Sequence, residues 1–196
     1  MEGLPERGYS AYLHTGRHQI LSVSPELFFQ RKGNRLFMKP MKGTTARGKN
    51  EDDDQRLFEQ LRTSEKDRAE NVMIVDLLRN DLGVIAETGT VRTPALFDIE
   101  AYPTVWQMTS TVEAEITTDV GVADLFKALF PCGSITGAPK KETMNKITQL
   151  EKEPRGVYCG SIGYLSPNGD STFNVAIRTA VIDAEKQNIT YGTGEG

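Results

Sequence analysis

Apolar and polar residues alternate with a two-residue period in the first and last thirds of the chain, which predicts β-strands in both regions. Turn signals separate these runs, for example Thr15 with Gly16, and Gly33 with Asn34. A hairpin is predicted to join 84–87 to 91–93 across a Thr-Gly-Thr turn. The other predicted strands cover 9–14, 19–23, 27–30, 35–39, 105–116, 157–165, 173–183 and 189–193.

In the middle of the chain the apolar period lengthens to that of an α-helix. Ser64 and Asp67 form a plausible capping box ahead of the strongest helical pattern, 69–82, which ends at Gly83. Because little polar face remains in the middle of that pattern, we expect a buried helix. Further helices are predicted over 50–61, 119–130 and 139–150. The order of strands, helices, strands, helices and strands predicts an α+β fold.

The composition is that of one ordinary globular domain. The 196 residues carry 23 basic and 27 acidic side chains, and a net charge of −4 gives no support for a nucleic-acid or anionic-membrane partner. No apolar run approaches the roughly 20 residues of a membrane span. Cys132 and Cys159 are too few for a disulfide framework, and residues 1–8 lack a signal-peptide core. We therefore expect two reduced thiols in a cytoplasmic protein.

Asp67 and Glu70 are three residues apart, so their carboxylates share one face of the predicted helix. Two hard oxygen ligands could hold Mg²⁺, which keeps water or substrate oxygens in its other positions. The same spacing is also typical of a first helical turn, where acidic side chains complement the helix dipole. The residues alone leave both interpretations open.

Two loops carry further candidate chemistry. Lys42 lies in the loop PMKGT, where Gly43 permits a close backbone approach. Such a lysine is a nucleophile if its surroundings favour the neutral amine, and otherwise an ordinary surface lysine. The segment GSITGAPK at 133–140 lies between two predicted helices, and its small residues before a helix start could bind an anion. Its spacing is not that of a nucleotide P-loop, and a carboxylate suits it as well as a phosphate.

Arg178 lies in the strand predicted over 173–183. An inward-facing arginine there requires an anion, and its fork matches a carboxylate, although an internal ion pair meets the same need. Tyr164 could add a hydroxyl group or pack as an ordinary strand aromatic. The glycines that close the chain are Gly192, Gly194 and Gly196.

The order of these motifs resembles the motif series of the chorismate-utilising enzymes, over about residues 9–196. The motifs are SPELF at 24–28, PMKGT at 40–44, KDRAENVMIVDLLRNDLG at 66–83, FPCGSITGAPK at 130–140, GSIGY at 160–164 and IRT at 177–179. The resemblance implies a sandwich of two mainly antiparallel sheets, with helices outside and the site between the sheets. Within the family, a lysine at the position of Lys42 is typical of aminodeoxychorismate synthase component I, whereas anthranilate synthases carry a small residue.

The resemblance also implies roles for individual residues. Lys42 would attack C2 of chorismate, and Glu26 would be the general acid for the departing C4 hydroxyl. Ammonia from a glutamine amidotransferase subunit would then displace the lysine, giving 4-amino-4-deoxychorismate for p-aminobenzoate and folate synthesis. Glu70 and Asp67 would hold Mg²⁺. The resemblance assigns substrate binding to Arg178, Tyr164, Ser134, Thr136, Gly137, Gly192 and Gly194.

The sequence departs from the family pattern at Gln107, where relatives commonly have a histidine beside the substrate. Gln107 can donate a hydrogen bond but cannot carry a proton at neutral pH. From the resemblance we expect 1–196 to be a chorismate-binding catalytic domain truncated at both ends, without two further metal-site glutamates and with weak turnover by itself. The alternatives are anthranilate synthase component I or another chorismate enzyme, and a non-catalytic chorismate-binding fragment.

Overall fold

Within residues 8–194, the part of the chain that the structure describes, the computed structural model contains eleven strands and four α-helices. The strands are β1 (Tyr9–His14), β2 (His18–Ser24), β3 (Leu27–Lys32), β4 (Arg35–Lys39), β5 (Met41–Ala46), β6 (Arg92–Ala101), β7 (Val105–Glu115), β8 (Ser161–Leu165), β9 (Ser171–Val175), β10 (Thr179–Asp183) and β11 (Asn188–Tyr191). The helices are α1 (Glu51–Thr63), α2 (Glu65–Gly83), α3 (Val122–Leu129) and α4 (Lys140–Leu150), and a short 3₁₀ helix covers Gly133–Ile135.

The strands form two antiparallel sheets. The four-stranded sheet has the order β1-β2-β10-β11. The seven-stranded sheet has the order β5-β7-β4-β3-β9-β8, and β6 also pairs with β7. The predicted α+β fold of two antiparallel sheets with helices is therefore confirmed.

The main core lies between the seven-stranded sheet and the helices α2 and α3. Phe28 and Phe29 on β3 are almost fully buried, and both rings meet Phe126 of α3 edge-on. Edge-to-face contacts of this kind add to the free energy gained by burying the rings. None of the described helices is long and apolar enough to cross a membrane.

Ser64 begins α2 as its N-cap residue, because the Asp67 backbone N–H donates to Ser64 Oγ at 3.3 Å. The helix starts at Glu65, one turn earlier than the apolar pattern predicts. The expectation of a buried helix is correct for one face only. Leu78 is 1% exposed, whereas Val72 and Met73 are 37% and 46% exposed. Helix α2 therefore covers the sheet with one side and presents apolar side chains outward with the other.

Two short segments carry the chain from one sheet to the other. Residues 25–26 join β2 to β3, and residues 176–178 join β9 to β10. The N–H of Val175, the last residue of β9, donates to the Glu26 carbonyl at 3.1 Å, which ties the first crossing to the strand that leads into the second. The prediction of one strand over 173–183 is therefore wrong, because the chain turns at the second crossing and its two halves join different sheets.

The hairpin predicted from 84–87 and 91–93 is also wrong. The backbone N–H groups of Ile85 and Ala86 donate to the Leu82 carbonyl, so the chain continues in helical turns after α2. Ala86 makes only an isolated bridge to Ile116. The second half of the predicted hairpin is the start of β6, which pairs with β7.

Candidate active site

A pocket of about 650 Å³, called the central pocket below, is lined by residues from α2, β5, the 3₁₀ helix and both crossings. Its apolar wall includes Met73, Ile135 and Ile177. The structure brings together here seven residues that were predicted from distant parts of the sequence. They are Glu26, Lys42, Glu70, Ser134, Thr136, Gly137 and Gly194.

Glu26 is carried into the wall of the central pocket by the first crossing and is 4% exposed. Its Oε1 atom has no hydrogen-bond partner among the described residues. Burial raises the pKa of the Glu26 carboxyl to about 7, and the Ser134 hydroxyl, the Lys42 ammonium and the Met41 backbone N–H offset only part of that effect. A carboxylic acid that keeps its proton near neutral pH can act as a general acid.

Lys42 lies on β5 beside a β-bulge, and not in a loop as predicted. The register of β5 against β7 shifts between Met41 and Thr44, and Gly43 has a φ of 93°. A Cβ atom on residue 43 would lie 2.9 Å from Asp67 Cβ, so glycine is needed where β5 approaches α2. Bulges re-aim side chains, and here the Lys42 side chain lines the central pocket.

Gln107 contacts this bulge from β7 and does not line the central pocket. Its Nε2 donates to the Gly43 carbonyl at 2.8 Å, and its Oε1 accepts from Thr44 Oγ1 at 2.8 Å. The side chain is buried, so these two bonds satisfy both ends of the amide where water is scarce. Gln107 thereby holds the backbone that follows Lys42, and its contact with substrate stays a prediction.

The segment after α3 forms another wall of the central pocket. Thr136 Oγ1 donates to the Cys132 carbonyl at 3.0 Å, and Ser134 Oγ lies 3.2 Å from Cys132 Sγ. Gly137 has a φ of 109°, a conformation that side-chain-bearing residues rarely adopt. The Gly137 N–H donates to the Gly133 carbonyl at 2.9 Å, so the hydroxyl groups are what this wall offers to an anion such as a carboxylate.

Glu70 and Asp67, the predicted metal ligands, lie near the start of α2. Glu70 lines the central pocket, and its carboxylate lies 3.7 Å from Lys66 Nζ. Asp67 packs against Gly43. Residues 8–194 contain no group of three or more histidine, cysteine or acidic side chains that could hold a metal ion. The donor set still fits Mg²⁺, which binds proteins through one or two carboxylates and takes its other ligands from water and substrate.

Besides Gln107 and Asp67, three further predicted site residues lie outside the central pocket. Arg178 is exposed at the second crossing and has a φ of 49°, because the strand that was expected to turn it inward is interrupted there. Tyr164 on β8 is 62% exposed, and its hydroxyl accepts a bond from Thr172 Oγ1 at 3.4 Å. Gly192 follows β11. The contacts of these residues with substrate stay predictions.

Tyr158 and Arg155 line the central pocket, although neither was predicted. A Cβ atom on residue 192 would lie 2.2 Å from Tyr158 Cγ, and one on residue 194 would lie 2.8 Å from its hydroxyl oxygen. The two glycines were therefore a signal of close approach, but the sequence does not say which side chain they approach. Arg155 donates from Nε to Glu151 Oε2 at 2.8 Å, at the end of α4.

Comparisons with known proteins agree with this arrangement. The family described as chorismate binding enzyme matches residues 5–194. Aminodeoxychorismate synthase component 1 of Klebsiella aerogenes is 46% identical over 171 residues, which are 87% of this chain and 38% of that protein. Anthranilate synthase component 1 of Aquifex aeolicus is 42% identical over 173 residues, which are 88% of this chain and 35% of that protein.

A solved structure shows the same fold. The crystal structure of anthranilate synthase component I from Streptococcus pneumoniae has a TM-score of 0.81 and 36% identity, over 90% of this chain and 39% of that one. The chain spans between 20% and 40% of the length of the curated relatives that it matches. These matches confirm the resemblance that the order of the motifs indicated.

Proposed function

Because the chain belongs to the chorismate binding enzyme family, which matches residues 5–194, we propose that the protein carrying it aminates chorismate at C4 to give 4-amino-4-deoxychorismate. The observation that supports this most directly is that Lys42 and the protonatable Glu26 face the same pocket. An amine nucleophile and a general acid in one cavity are the two groups that a covalent route to substitution of an allylic hydroxyl uses. Relatives named aminodeoxychorismate synthase component 1 support the same reaction.

In the first step, the Lys42 ammonium releases a proton to solvent, and the neutral amine forms a bond to C2 of chorismate. The two ring double bonds each move by one position, and the C4–oxygen bond breaks. Glu26 gives its proton to the departing oxygen, which leaves as water. The new secondary ammonium then returns a proton to the Glu26 carboxylate. A covalent intermediate of this kind divides one difficult substitution into two easier ones.

In the second step, ammonia forms a bond to C4 and the two double bonds return to their original positions. The bond between C2 and Lys42 Nζ breaks, and its electron pair stays on the lysine nitrogen. The released amine takes the surplus proton from the new C4 ammonium. We propose that a glutamine amidotransferase subunit supplies the ammonia, consistent with relatives that are named as one component of a synthase.

Chorismate carries two carboxylates, and the central pocket offers groups for the one on the ring. Mg²⁺ held by Glu70, with Asp67 beside it, would supply a positive charge for the ring carboxylate. Ser134 and Thr136 offer hydroxyl groups, and Gly137 lets the backbone turn beside them. We also propose, from the resemblance alone, that the enolpyruvyl carboxylate is held by Arg178, Tyr164, Gly192 and Gly194, and that Gln107 lies near the ring.

A second candidate is the formation of anthranilate, since the relative from Aquifex aeolicus and the structure from Streptococcus pneumoniae both carry the name anthranilate synthase. Lys42 favours the first candidate, because a direct addition of ammonia at C2 needs no lysine in the pocket. The product distinguishes the two reactions.

Intact-mass analysis after incubation with chorismate in the absence of ammonia tests the proposal. We expect a covalent adduct of chorismate less one water on the unsubstituted protein and no adduct on Lys42→Ala. The exposed Lys49 provides a matched control, and Lys49→Ala should form the adduct normally. An unsubstituted protein without adduct, or an adduct that survives Lys42→Ala, would contradict the proposal. Fluorescent anthranilate formed on addition of ammonium would favour the second candidate.

A further inference from the structure

Gly192 and Gly194 lie in the segment 192–194, which follows β11 and reaches the central pocket at Gly194. Neither glycine has a φ in the left-handed region, so the backbone φ does not require glycine at these positions. What excludes a side chain is Tyr158. A Cβ atom on residue 192 would lie 2.2 Å from Tyr158 Cγ and 2.5 and 2.6 Å from its two Cδ atoms, and one on residue 194 would lie 2.8 Å from its hydroxyl oxygen. The segment therefore runs along the ring from its Cγ end to its hydroxyl group.

The backbone on both sides of Tyr158 is fixed to the rest of the fold. The Tyr158 N–H donates to the Arg155 carbonyl at 3.1 Å. The Cys159 N–H donates to the Ala176 carbonyl at 3.0 Å, and the Ala176 N–H donates to the Gly160 carbonyl at 2.9 Å. Ala176 is fully buried in the second crossing, so the ring of Tyr158 is attached to one of the two connections between the sheets.

Cys159 has a φ of 63°, which residues other than glycine seldom adopt. In an extended chain consecutive side chains point to opposite sides, whereas Tyr158 and Cys159 both line the central pocket. A left-handed residue interrupts that alternation. Backbone strain of this kind persists where the surrounding contacts maintain it, and it concentrates at functional sites. The strained residue thus helps to place the Tyr158 ring between the pocket and the segment 192–194.

The segment 192–194 lies beyond the last pairing of β11 with β10, which is at Tyr191. The N–H groups of Thr193 and Gly194 donate to no backbone carbonyl within residues 8–194, and both residues are exposed. These N–H groups are consequently available to a ligand. Their position depends on the surface against which the segment packs, and that surface is the Tyr158 ring.

We propose that Tyr158 is a positioning residue, whose ring is the platform that holds the segment 192–194 at the central pocket and so sets the affinity for chorismate. This inference rests on the proposed function, in which Gly192 and Gly194 hold the enolpyruvyl carboxylate. Hydrogen bonds from N–H groups to a carboxylate weaken steeply when the donors move or rotate. A segment that packs flat on a rigid ring keeps its donors in one place. The same contact explains why both positions carry glycine.

Substitutions on both sides of the contact test the platform, because each steric conflict disappears when its partner atoms are removed. Tyr158→Phe removes the atom that a Cβ on residue 194 meets, and Tyr158→Ala removes the three ring atoms nearest to a Cβ on residue 192. The measurement is the Kd of chorismate by isothermal titration calorimetry with Mg²⁺ present. All proteins in this series also carry Lys42→Ala, so that no adduct forms during the titration.

Two control substitutions match the changes at the contact. Gly83→Ala places a Cβ atom where it meets nothing, and Tyr12→Ala removes an exposed aromatic side chain on β1 that lies outside the central pocket. Neither control should change the Kd by more than about twofold. Circular dichroism and urea unfolding establish that each variant is folded.

We expect Tyr158→Ala to raise the Kd about tenfold, and Tyr158→Phe, which keeps the ring, to change it less than about twofold. Gly192→Ala should raise the Kd about tenfold by itself, but less than about twofold further when it is combined with Tyr158→Ala. Gly194→Ala should raise the Kd about threefold, and Tyr158→Phe should restore it. Tyr158→Phe should not rescue Gly192→Ala, because the ring remains.

A folded Tyr158→Ala protein with an unchanged Kd would make Tyr158 a packing residue only and overturn the platform. Fold-changes that simply multiply in both pairs of substitutions would overturn it as well. If Tyr158→Ala does not fold, the pair of Gly194→Ala and Tyr158→Phe decides. A protein that binds chorismate but forms no adduct with Lys42 intact contradicts the proposed chemistry, while the Kd values still decide on the platform. A protein that does not bind chorismate overturns both.

Discussion

Replacing Glu26 by glutamine should make the protein more stable at alkaline pH. Glu26 is a carboxyl group in a nearly inaccessible site, and one of its oxygens has no hydrogen-bond partner among the described residues. Ionising it in the folded state therefore costs more than ionising it in the unfolded chain. Glutamine has almost the same shape and never ionises, so Glu26→Gln removes this cost and little else.

The sign and the size of the effect follow from the pKa of Glu26, which burial raises from its ordinary 4.5 to about 7. The folded protein binds the proton more tightly, so the free energy of unfolding falls as the pH rises between these two values. The stabilising contribution is complete below about pH 4.5 and is lost above about pH 7. At about 1.4 kcal/mol per pH unit, the interval corresponds to a loss of about 3 kcal/mol.

Urea unfolding at pH 5, 6, 7 and 8 measures this difference, and the fluorescence of Trp106, the single tryptophan, reports it. Between pH 5 and pH 8 the unsubstituted protein should lose about 2 to 3 kcal/mol relative to Glu26→Gln. Glu142 is exposed on α4, and Glu142→Gln should follow the unsubstituted protein at every pH. Parallel pH dependences for Glu26→Gln and the unsubstituted protein would show that Glu26 is ionised in the folded state at no extra cost.

Three further substitutions test the packing around the site. Leu78→Ala, in the buried face of α2, should lower the free energy of unfolding by about 2–5 kcal/mol in urea titrations, and a loss below 1 kcal/mol would contradict the packing described for α2. Ser64→Ala removes the N-cap bond of α2 and should cost about 1 kcal/mol in the same titration, whereas no loss would mean that water replaces the cap. Gly43→Ala should slow formation of the Lys42 adduct in time-resolved mass spectra, because the new Cβ atom meets Asp67. The matched control is Gly33→Ala, because Gly33 lies at an open turn position where a new Cβ atom meets nothing. Equal rates of adduct formation in the two variants would refute a role for the bulge.

Local features of the fold could be predicted from the sequence, and features that depend on the sheets could not. The cap at Ser64 and the strand over 35–39 are determined by neighbouring residues, and both agree with the structure. The break at 176–178 has no local signal, because apolar residues continue on both sides of it. Alternation predicts that a segment is extended, but it does not say to which sheet each half belongs.

The candidate site depended on the resemblance more than on residue chemistry. Lys42 and Glu26 became candidates because of the motifs around them, and the structure adds their shared pocket and the burial of Glu26. Tyr158 could not be found, because its contact with the glycines near the end of the chain joins residues about 35 positions apart, a separation at which sequence spacing carries little information. Arg178 was expected to point inward on the assumption of an unbroken strand, and the crossing removes that assumption.

The two crossings between the sheets have a mechanical consequence. Glu26 lies on one crossing and Ile177 on the other, and both line the central pocket. A ligand in that pocket therefore touches both connections between the sheets and resists their separation. Backbone amides of β10, which pair with β2 and β11 in the four-stranded sheet, should then exchange their hydrogens more slowly when the pocket is filled. By linkage, a force that favours separation of the sheets weakens ligand binding in the pocket. The free energy of coupling between binding and separation is the same in both directions.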